Sequence, residues 1–103
     1  MEKITDSNFE EVINGEKPVL VDFYTDWCPP CKMLSPIIEE IQKEFEGKVI
    51  VLKMNIDENP ITANKFQIDR IPTVVLFEKG EAKNNFVGFK DKEDIKDWLN
   101  SNI

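Results

Sequence analysis

The stretch of sequence that decides the fold runs from residue 19 to residue 32 and reads VLVDFYTDWCPPCK. Its first six residues are apolar on both faces except for Asp22, a pattern typical of a central strand covered by helices on each side. The two cysteines of the chain, Cys28 and Cys31, follow directly. Apolar residues with the spacing of an amphipathic helix come next: Leu34, Ile37, Ile38, Ile41 and Phe45. The stretch therefore predicts a strand, a two-cysteine turn and a helix in immediate succession, with Cys28 at the helix N-terminus.

Strand and helix patterns continue on both sides of this stretch. Ser7 and Glu10 match a capping box that would open a short N-terminal helix. The later patterns predict, in order, a buried strand at residues 49–56, a short helix opened by Asn59-Pro60, a strand at 73–77, a hairpin turn at Lys79-Gly80, a strand at 83–87 and a last helix opened by Asp91. This order predicts an α/β fold, a three-layer α/β/α domain with a central mixed β-sheet flanked by helices.

Length and charge limit the classes of function. With 103 residues, we expect residues 1–103 to form a single domain around one core. The chain has 13 Lys and Arg against 20 Asp and Glu, a net charge of −7, which argues against nucleic acid or an anionic membrane as the main partner. The N-terminus lacks the basic start and apolar run of a signal peptide, so we expect a cytoplasmic protein. In that reducing compartment a cysteine pair is more often catalytic or metal-binding than structural.

The positions of Cys28 and Cys31 predict different roles for the two thiols. At a helix N-terminus, unpaired N–H groups and the helix dipole stabilise a thiolate, so Cys28 is expected to be an exposed nucleophile with a lowered pKa. Cys31 lies one turn further along the helix and is expected to be more covered, as the resolving thiol. Such a pair performs thiol–disulfide exchange.

Two other interpretations of the cysteines stay open from the residues alone. A purely structural disulfide across two residues closes so short a loop that it stabilises little. A zinc or iron–sulfur site needs further ligands, and the chain has no His and no third Cys, so such a site would have to be shared between molecules.

Asp22 is the second informative residue because a carboxylate in a buried strand is costly to desolvate. Burial would raise its pKa toward neutrality, the range useful to a general acid or base, and Asp22 is therefore a candidate proton acceptor for Cys31. The alternative is a buried ion pair with Lys53 on the next strand, without a catalytic role. Lys53 is expected to modulate Asp22 in either case.

Three further residues have less specific patterns. Pro72 marks the beginning of a strand, and spacing alone does not predict a cis peptide bond there. Gly88 fits an ordinary bend or a surface that another backbone approaches closely. Trp27 is either a half-exposed ring beside the thiols or a core residue.

Taken together, these segments resemble the thioredoxin family. The resemblance is carried in order by Val21-Asp22-Phe23-Tyr24, Trp27-Cys28-Pro29-Pro30-Cys31-Lys32, Pro36, Lys53-Met54-Asn55-Ile56-Asp57, Ile71-Pro72-Thr73 and Val87-Gly88. It implies the thioredoxin fold, with Cys28 as the attacking thiol, Cys31 as the resolving thiol, Asp22 as the carboxylate that assists Cys31, and Lys53 near it.

The resemblance also implies a substrate-binding surface. Pro72 would be a cis-proline facing the cysteine pair, and Ile71 would offer its backbone to a bound substrate strand. Trp27, Val87 and Gly88 would complete an apolar rim, to which Pro29 and Pro30 between the cysteines also belong.

The function implied by the resemblance is that of a general protein-disulfide reductase, monomeric and cytoplasmic. It would need no bound cofactor because the thiols carry the electrons. A thioredoxin reductase, either a flavoprotein using NADPH or a ferredoxin-linked enzyme, would regenerate it, and protein disulfides would be its substrates. The alternatives are an oxidant or isomerase, an exported thiol reductant, and a binding or chaperone module that does not use redox chemistry.

Pro29 departs from the family pattern, which has Gly in a Cys-Gly-Pro-Cys motif. Proline removes one backbone N–H at the first turn of the helix. If that N–H stabilises the Cys28 thiolate, its loss makes the couple more reducing, whereas added rigidity could act in the opposite direction.

Overall fold

The fold is built on a mixed four-stranded sheet. The computed structural model describes residues 4–103, and the predicted domain's first three residues lie outside that range. The strands are β1 (Val19–Tyr24), β2 (Ile50–Asn55), β3 (Thr73–Glu78) and β4 (Glu81–Val87), and the helices are α1 (Phe9–Ile13), α2 (Pro29–Glu44), α3 (Pro60–Lys65) and α4 (Lys92–Asn100). The strand order is β2-β1-β3-β4, with β1 parallel to β2 and antiparallel to β3, and with β3 antiparallel to β4. The predicted mixed sheet is confirmed.

Each face of the sheet has its own hydrophobic core, because side chains alternate between the two faces along a strand. Leu20 belongs to the cluster that packs with α2 and α4. Val19, Val21 and Phe23 belong to the other cluster, with α1. The predicted three-layer α/β/α architecture is thus confirmed, and the same alternation places Asp22 on the face of β1 that α2 covers.

The sheet register brings several sequence-predicted residues to one edge. Phe23 on β1 lies opposite Thr73 on β3, and Thr73 lies opposite Val87 on β4. The carboxyl end of β1, the start of β3 and the end of β4 therefore coincide. The turn to the cysteines leaves the sheet at this edge, where Pro72 precedes β3 and Gly88 follows β4.

The predicted capping box at Ser7 is wrong. Helix α1 begins at Phe9 after Asn8, and the Asn8 side chain points backwards, where its Oδ1 accepts a hydrogen bond of 2.8 Å from Thr5 N–H. Ser7 is exposed, and its hydroxyl contacts that of Thr5. The Asn8 side chain therefore closes a turn with Thr5 and does not cap α1, and the expected pair of hydrogen bonds between Ser7 and Glu10 is replaced by this turn.

Two other local predictions are confirmed. Lys79 and Gly80 form the two-residue hairpin turn, with φ of 51° and 86°, between the paired residues Glu78 and Glu81. Asp91 opens α4, and its Oδ1 accepts a hydrogen bond of 3.2 Å from Asp94 N–H. Within residues 4–103, no helix combines the length and apolar character needed to cross a membrane.

Candidate active site

Cys28 and Cys31 form a disulfide at the N-terminus of α2. Cys28 is the cap residue, in an extended conformation with φ of −100° and ψ of 109°, and the two Cα atoms lie 5.2 Å apart. The Cys28 Sγ accepts a hydrogen bond of 3.2 Å from Cys31 N–H. The predicted position of the pair is confirmed, and the sulfur of Cys28 takes the place that a Ser or Asp oxygen takes at an ordinary helix N-terminus.

The expected exposure of Cys28 is wrong for the disulfide form. Cys28 is 4% exposed and Cys31 is 3% exposed, so the two residues are almost equally covered. The reason is local, since the bond to Cys31 and the hydrogen bond from its N–H hold the Cys28 sulfur against the first turn of α2.

Pro29 and Pro30 reduce the number of N–H groups that face this sulfur. They occupy the first two positions of α2, and both are exposed. Because proline has no N–H, neither position can donate a hydrogen bond to Cys28. The first N–H of α2 is that of Cys31, which donates to the sulfur.

Asp22 is a buried carboxylate without a hydrogen bond to one of its oxygens. The residue is 2% exposed, and Oδ1 has no partner among the described residues. Burial raises the pKa of Asp22 to about 7, although the positive charge of Lys53 acts to lower it. The direction that the sequence predicts for this pKa agrees with the structure.

Lys53 lies beside Asp22 but does not form the predicted alternative, a closed ion pair. The two residues are direct neighbours in the register of β1 and β2. None of the ion pairs formed within residues 4–103 joins them. The Lys53 ammonium lies instead 4.9 Å from the centre of the Tyr24 ring. The positive charge is therefore near the carboxylate without neutralising it.

Asp22 and Cys31 both line a cavity of about 140 Å³. Its lining consists of Asp22, Tyr24, Thr25, Asp26, Cys31, Lys32, Ser35 and Lys53. Three elements meet there: the end of β1 with the loop that follows it, the first two turns of α2, and β2. The fold thus places Cys31 and Asp22 on the wall of one common space.

Trp27 and Val87 are exposed apolar side chains near the edge of the sheet where the disulfide lies. Trp27 is 69% exposed, which excludes the alternative of a core residue, and its Nε1–H donates a hydrogen bond of 2.9 Å to Asp57 Oδ2. Val87 is the last residue of β4 and is also exposed. The hydrogen bond to Asp57 fixes the orientation of an indole ring whose faces remain largely free.

The backbone at Pro72 and Gly88 completes this edge. The Ile71-Pro72 peptide bond is cis, as the family resemblance implies. Gly88 N–H donates a hydrogen bond of 2.8 Å to the Pro72 carbonyl, which ties the start of β3 to the end of β4. Gly88 has φ of +90°, and apart from Gly88 itself and its two chain neighbours no described residue has an atom within 4 Å of where its Cβ would be. Another backbone has room to approach here.

Disulfide exchange requires a sulfur that can leave as a thiolate and a second thiol close enough to displace it. Cys28 and Cys31 supply both at one helix terminus. The class of protein that this fold and this site define is therefore the thiol–disulfide oxidoreductases.

Comparison with known proteins identifies the family. The thioredoxin family model matches residues 1–101. The thioredoxin of Rickettsia bellii is 55% identical over 101 residues, covering 97% of this chain and 96% of the relative. The thioredoxins of Buchnera aphidicola and Staphylococcus haemolyticus are 50% and 46% identical over 102 residues, covering 98% of this chain in both cases and 94% and 96% of the relatives. This chain belongs to the thioredoxin family and is a thiol–disulfide oxidoreductase.

The sequence does not point to Thr25 or to a partner for Asp57. Thr25 follows the apolar run of β1 and carries no motif, and its place in the cavity depends on α2 and β2 closing over it. Asp57 has the pattern of a residue in a solvated loop, and its bond to Trp27 joins residues 30 positions apart. Within residues 4–103, no group of three or more His, Cys, Asp or Glu side chains is placed to hold a metal ion.

Proposed function

We propose that this chain is a general protein-disulfide reductase of the cytoplasm. The thiolate of reduced Cys28 attacks a substrate disulfide, a bond forms between Cys28 Sγ and one substrate sulfur, and the other substrate sulfur leaves as a thiolate. Cys31 then attacks Cys28 Sγ and displaces the second substrate thiolate. The products are the reduced substrate and the Cys28–Cys31 disulfide, so two electrons pass from the pair to the substrate.

Asp22 is proposed as the proton acceptor that activates Cys31. A thiol is a poor nucleophile until it loses its proton, and a carboxyl group with a pKa of about 7 can take that proton near neutral pH and give it back in the reverse reaction. The cavity shared by Asp22 and Cys31 supports this role. Lys53 is proposed to keep the pKa of Asp22 from rising further, since its charge favours the ionised carboxylate.

The substrate is proposed to dock on the edge of the sheet around the disulfide. Trp27, Pro29, Pro30 and Val87 are exposed there, and the partly buried Gly88 adds backbone to the same surface. Ile71, before the cis bond to Pro72, is only partly buried, and its peptide groups are proposed to pair with an extended substrate segment.

The proposal also covers the oligomeric state, the cofactor and the partners of the protein. Residues 1–103 act as one domain and as a monomer, without a bound cofactor, since the thiols themselves carry the electrons. A thioredoxin reductase, linked to NADPH through a flavin or to ferredoxin, reduces the Cys28–Cys31 disulfide again, and neither nucleic acid nor a membrane takes part. The net charge of −7 supports the proposal that neither nucleic acid nor an anionic membrane is a partner.

The observation that carries this proposal is the Cys28–Cys31 disulfide at the start of α2, in a cavity shared with the uncompensated carboxylate of Asp22. A structural disulfide needs no proton acceptor. A reactive pair needs one at each turnover.

The test is reduction of the interchain disulfides of insulin by dithiothreitol, followed by turbidity, with the wild-type protein and two variants. Cys28→Ser is expected to abolish the acceleration. Cys31→Ser is expected to lose the acceleration as well. When this variant is reduced beforehand and mixed with insulin after dithiothreitol has been removed, it is expected to accumulate a mixed disulfide between Cys28 and an insulin chain, visible by non-reducing mass spectrometry. Turnover that persists in either variant, or a mixed disulfide that forms at Cys31 of Cys28→Ser in equal yield, would contradict the assigned roles.

A further inference from the structure

Two buried side-chain oxygens stand out because they have no hydrogen-bond partner among residues 4–103. They are Asp22 Oδ1 and Thr25 Oγ1, and both residues line the cavity that also contains Cys31. Thr25 is 1% exposed. Buried polar atoms are nearly always paired, so two unpaired ones in a single cavity indicate a shared partner.

The cavity is large enough to hold water, and polar side chains on its wall could bind it. Its volume of about 140 Å³ exceeds the roughly 30 Å³ that one water occupies in the liquid. A buried water is stable where it finds two to four polar partners, and this cavity offers the Asp22 carboxyl and the hydroxyls of Thr25 and Ser35. Water in this cavity is the partner available to each of the two unpaired oxygens.

We propose that Thr25 is a positioning residue for the second step of the reaction, in which its hydroxyl holds a water between the Cys31 thiol and the Asp22 carboxylate. This inference rests on the proposed role of Asp22 as the proton acceptor. Thr25 acts through the water and Asp22 rather than on either sulfur directly.

The step balances as a proton transfer followed by a disulfide exchange. Cys31 gives its proton to the water, which gives one of its own protons to Asp22, so the carboxylate becomes a carboxylic acid and the water is restored. The Cys31 thiolate then attacks Cys28 Sγ, the bond between Cys28 and the substrate sulfur breaks, and that sulfur leaves as a thiolate.

The position of Thr25 also affects the ionisation of Asp22. A water that donates a hydrogen bond to the Asp22 carboxylate favours the ionised form of Asp22. The Thr25 hydroxyl favours that form indirectly, because it holds the water in place. The other titratable or charged groups facing the cavity are Tyr24 and Asp26 from the end of β1 and its loop, Cys31 and Lys32 from α2, and Lys53 from β2. Because a Thr25→Val substitution leaves all of these groups in place, a change in the titration of Asp22 reports the hydroxyl.

The experiment compares Thr25→Val, which removes the hydroxyl at nearly constant volume, with Thr25→Ser, which keeps the hydroxyl. Reduced protein is mixed with dithiobis(nitrobenzoic acid) in a stopped-flow instrument from pH 5.5 to 9. The first thionitrobenzoate released reports the attack by Cys28, and the second reports resolution by Cys31. Nuclear magnetic resonance of the Asp22 carboxyl carbon gives the pKa of that group in the same variants.

We expect Thr25→Val to slow the second release at pH 7 by about threefold to tenfold, the factor that corresponds to one hydrogen bond, and to leave the first release unchanged. The pKa of Asp22 should rise by about half a unit or more above the wild-type value. Thr25→Ser should restore both. A hydroxyl that only packs in the core would leave the second release and the Asp22 titration at wild-type values in Thr25→Val, and that result would overturn the proposal. If Thr25→Val does not fold, Thr25→Ala serves for the same comparison.

Asp22→Asn separates failure of this inference from failure of the proposed function. If Asp22→Asn resolves at the wild-type rate, the role of Asp22 fails, and the role of Thr25 fails with it. If Asp22→Asn is slow while Thr25→Val is not, only the role of Thr25 is overturned. The proposal requires further that adding Thr25→Val to Asp22→Asn slows resolution no more than Asp22→Asn alone.

Discussion

Helices α2 and α3 both begin with proline, and the two N-termini are used in opposite ways. At α3, which starts at Pro60, the carboxylate of Asp6 accepts hydrogen bonds from Ile61 N–H at 3.2 Å and Thr62 N–H at 2.9 Å. At α2, which starts at Pro29, the N–H of Cys31 donates to the sulfur of Cys28. One helix start binds a permanent anion, and the other faces an atom that gains and loses negative charge during the reaction.

The same contrast holds for the two carboxylates. Partial burial acts to raise the pKa of Asp6, but the hydrogen bonds from Thr62 and Ile61 outweigh it and hold that pKa below the ordinary value. Burial raises the pKa of Asp22 to about 7, and no hydrogen bond from the described residues reaches its Oδ1. A carboxylate with all its partners stabilises the fold, whereas a carboxylate deprived of partners is kept at a cost in stability and is available to accept a proton.

The largest effect should come from removing the unpartnered carboxylate. Asp22→Asn cannot accept a proton from Cys31, so resolution of the mixed disulfide at pH 7 should slow by about 100-fold, the lower end of the range for a lost general base. The attack by Cys28 should keep its rate. Stopped-flow measurement of the two steps checks this, and equal slowing of both steps would show that Asp22 acts on the whole site rather than on Cys31.

The same substitution should make the protein more stable at alkaline pH. Folded Asp22 holds its proton up to about pH 7, whereas the unfolded chain releases it near pH 4. The free energy of unfolding therefore falls as pH rises through that window, by up to about 4 kcal/mol. Asp22→Asn should recover most of this at pH 8.5 and little at pH 4. Urea unfolding at both values is the measurement, and a gain that does not depend on pH would contradict the assigned cause.

The partnered carboxylate should behave in the opposite sense and more weakly. Asp6→Ala removes the cap of α3 and should lower the free energy of unfolding by about 1 kcal/mol at pH 7. Because the folded pKa of Asp6 is lowered, its contribution is present above the unfolded pKa and disappears as pH falls through the folded pKa. The loss should therefore shrink as the pH falls below the ordinary pKa range of an aspartate.

Ser7→Ala is the control for this substitution, because Ser7 is exposed one position away and does not cap α1. It should change stability by less than about 0.5 kcal/mol at any pH. An equal effect of the two substitutions would mean that the N-terminal segment as a whole, rather than the carboxylate, supports α3.

The smallest effect concerns the missing N–H at the start of α2. Pro29→Ala restores a donor at the first helical position, which should stabilise the reduced form with its Cys28 thiolate and raise the midpoint potential by about 20 mV. Pro29→Gly restores the same donor with more backbone freedom. Similar shifts in both variants would assign the effect to the N–H, whereas a shift in Pro29→Gly alone, or a lower potential in both, would assign it to rigidity.

The reactive helix start was predictable from sequence because every part of it is local. The apolar run of β1, the two cysteines and the periodic pattern of α2 are contiguous, so strand, turn and helix could be placed directly. The burial of Asp22 followed from the same run. Its relation to Lys53 was only half predictable, since the neighbouring strand was anticipated but the direction of a long side chain toward the Tyr24 ring was not.

The cap at the N-terminus of α3 could not be predicted, because its parts are distant in sequence. Asn59 was expected to cap α3 itself, yet its Oδ1 accepts from Asp6 N–H while Asp6 caps the helix across more than 50 residues. The cavity around Thr25 was hidden for a related reason, since three elements form it. Contacts of this kind depend on the packing of finished elements, and no pattern within a short window of sequence encodes them.

The midpoint potential of the Cys28–Cys31 pair tests most directly whether this helix start serves a reductant. Titration in dithiothreitol buffers can be followed by the fluorescence of Trp27, next to Cys28 in the chain. We expect a value at or below about −270 mV, a figure that is the established value for thioredoxin and that comes from the family rather than from the geometry of this site. A value between about −180 and −120 mV, the range of disulfide isomerases and oxidants, would contradict the proposed direction of electron flow.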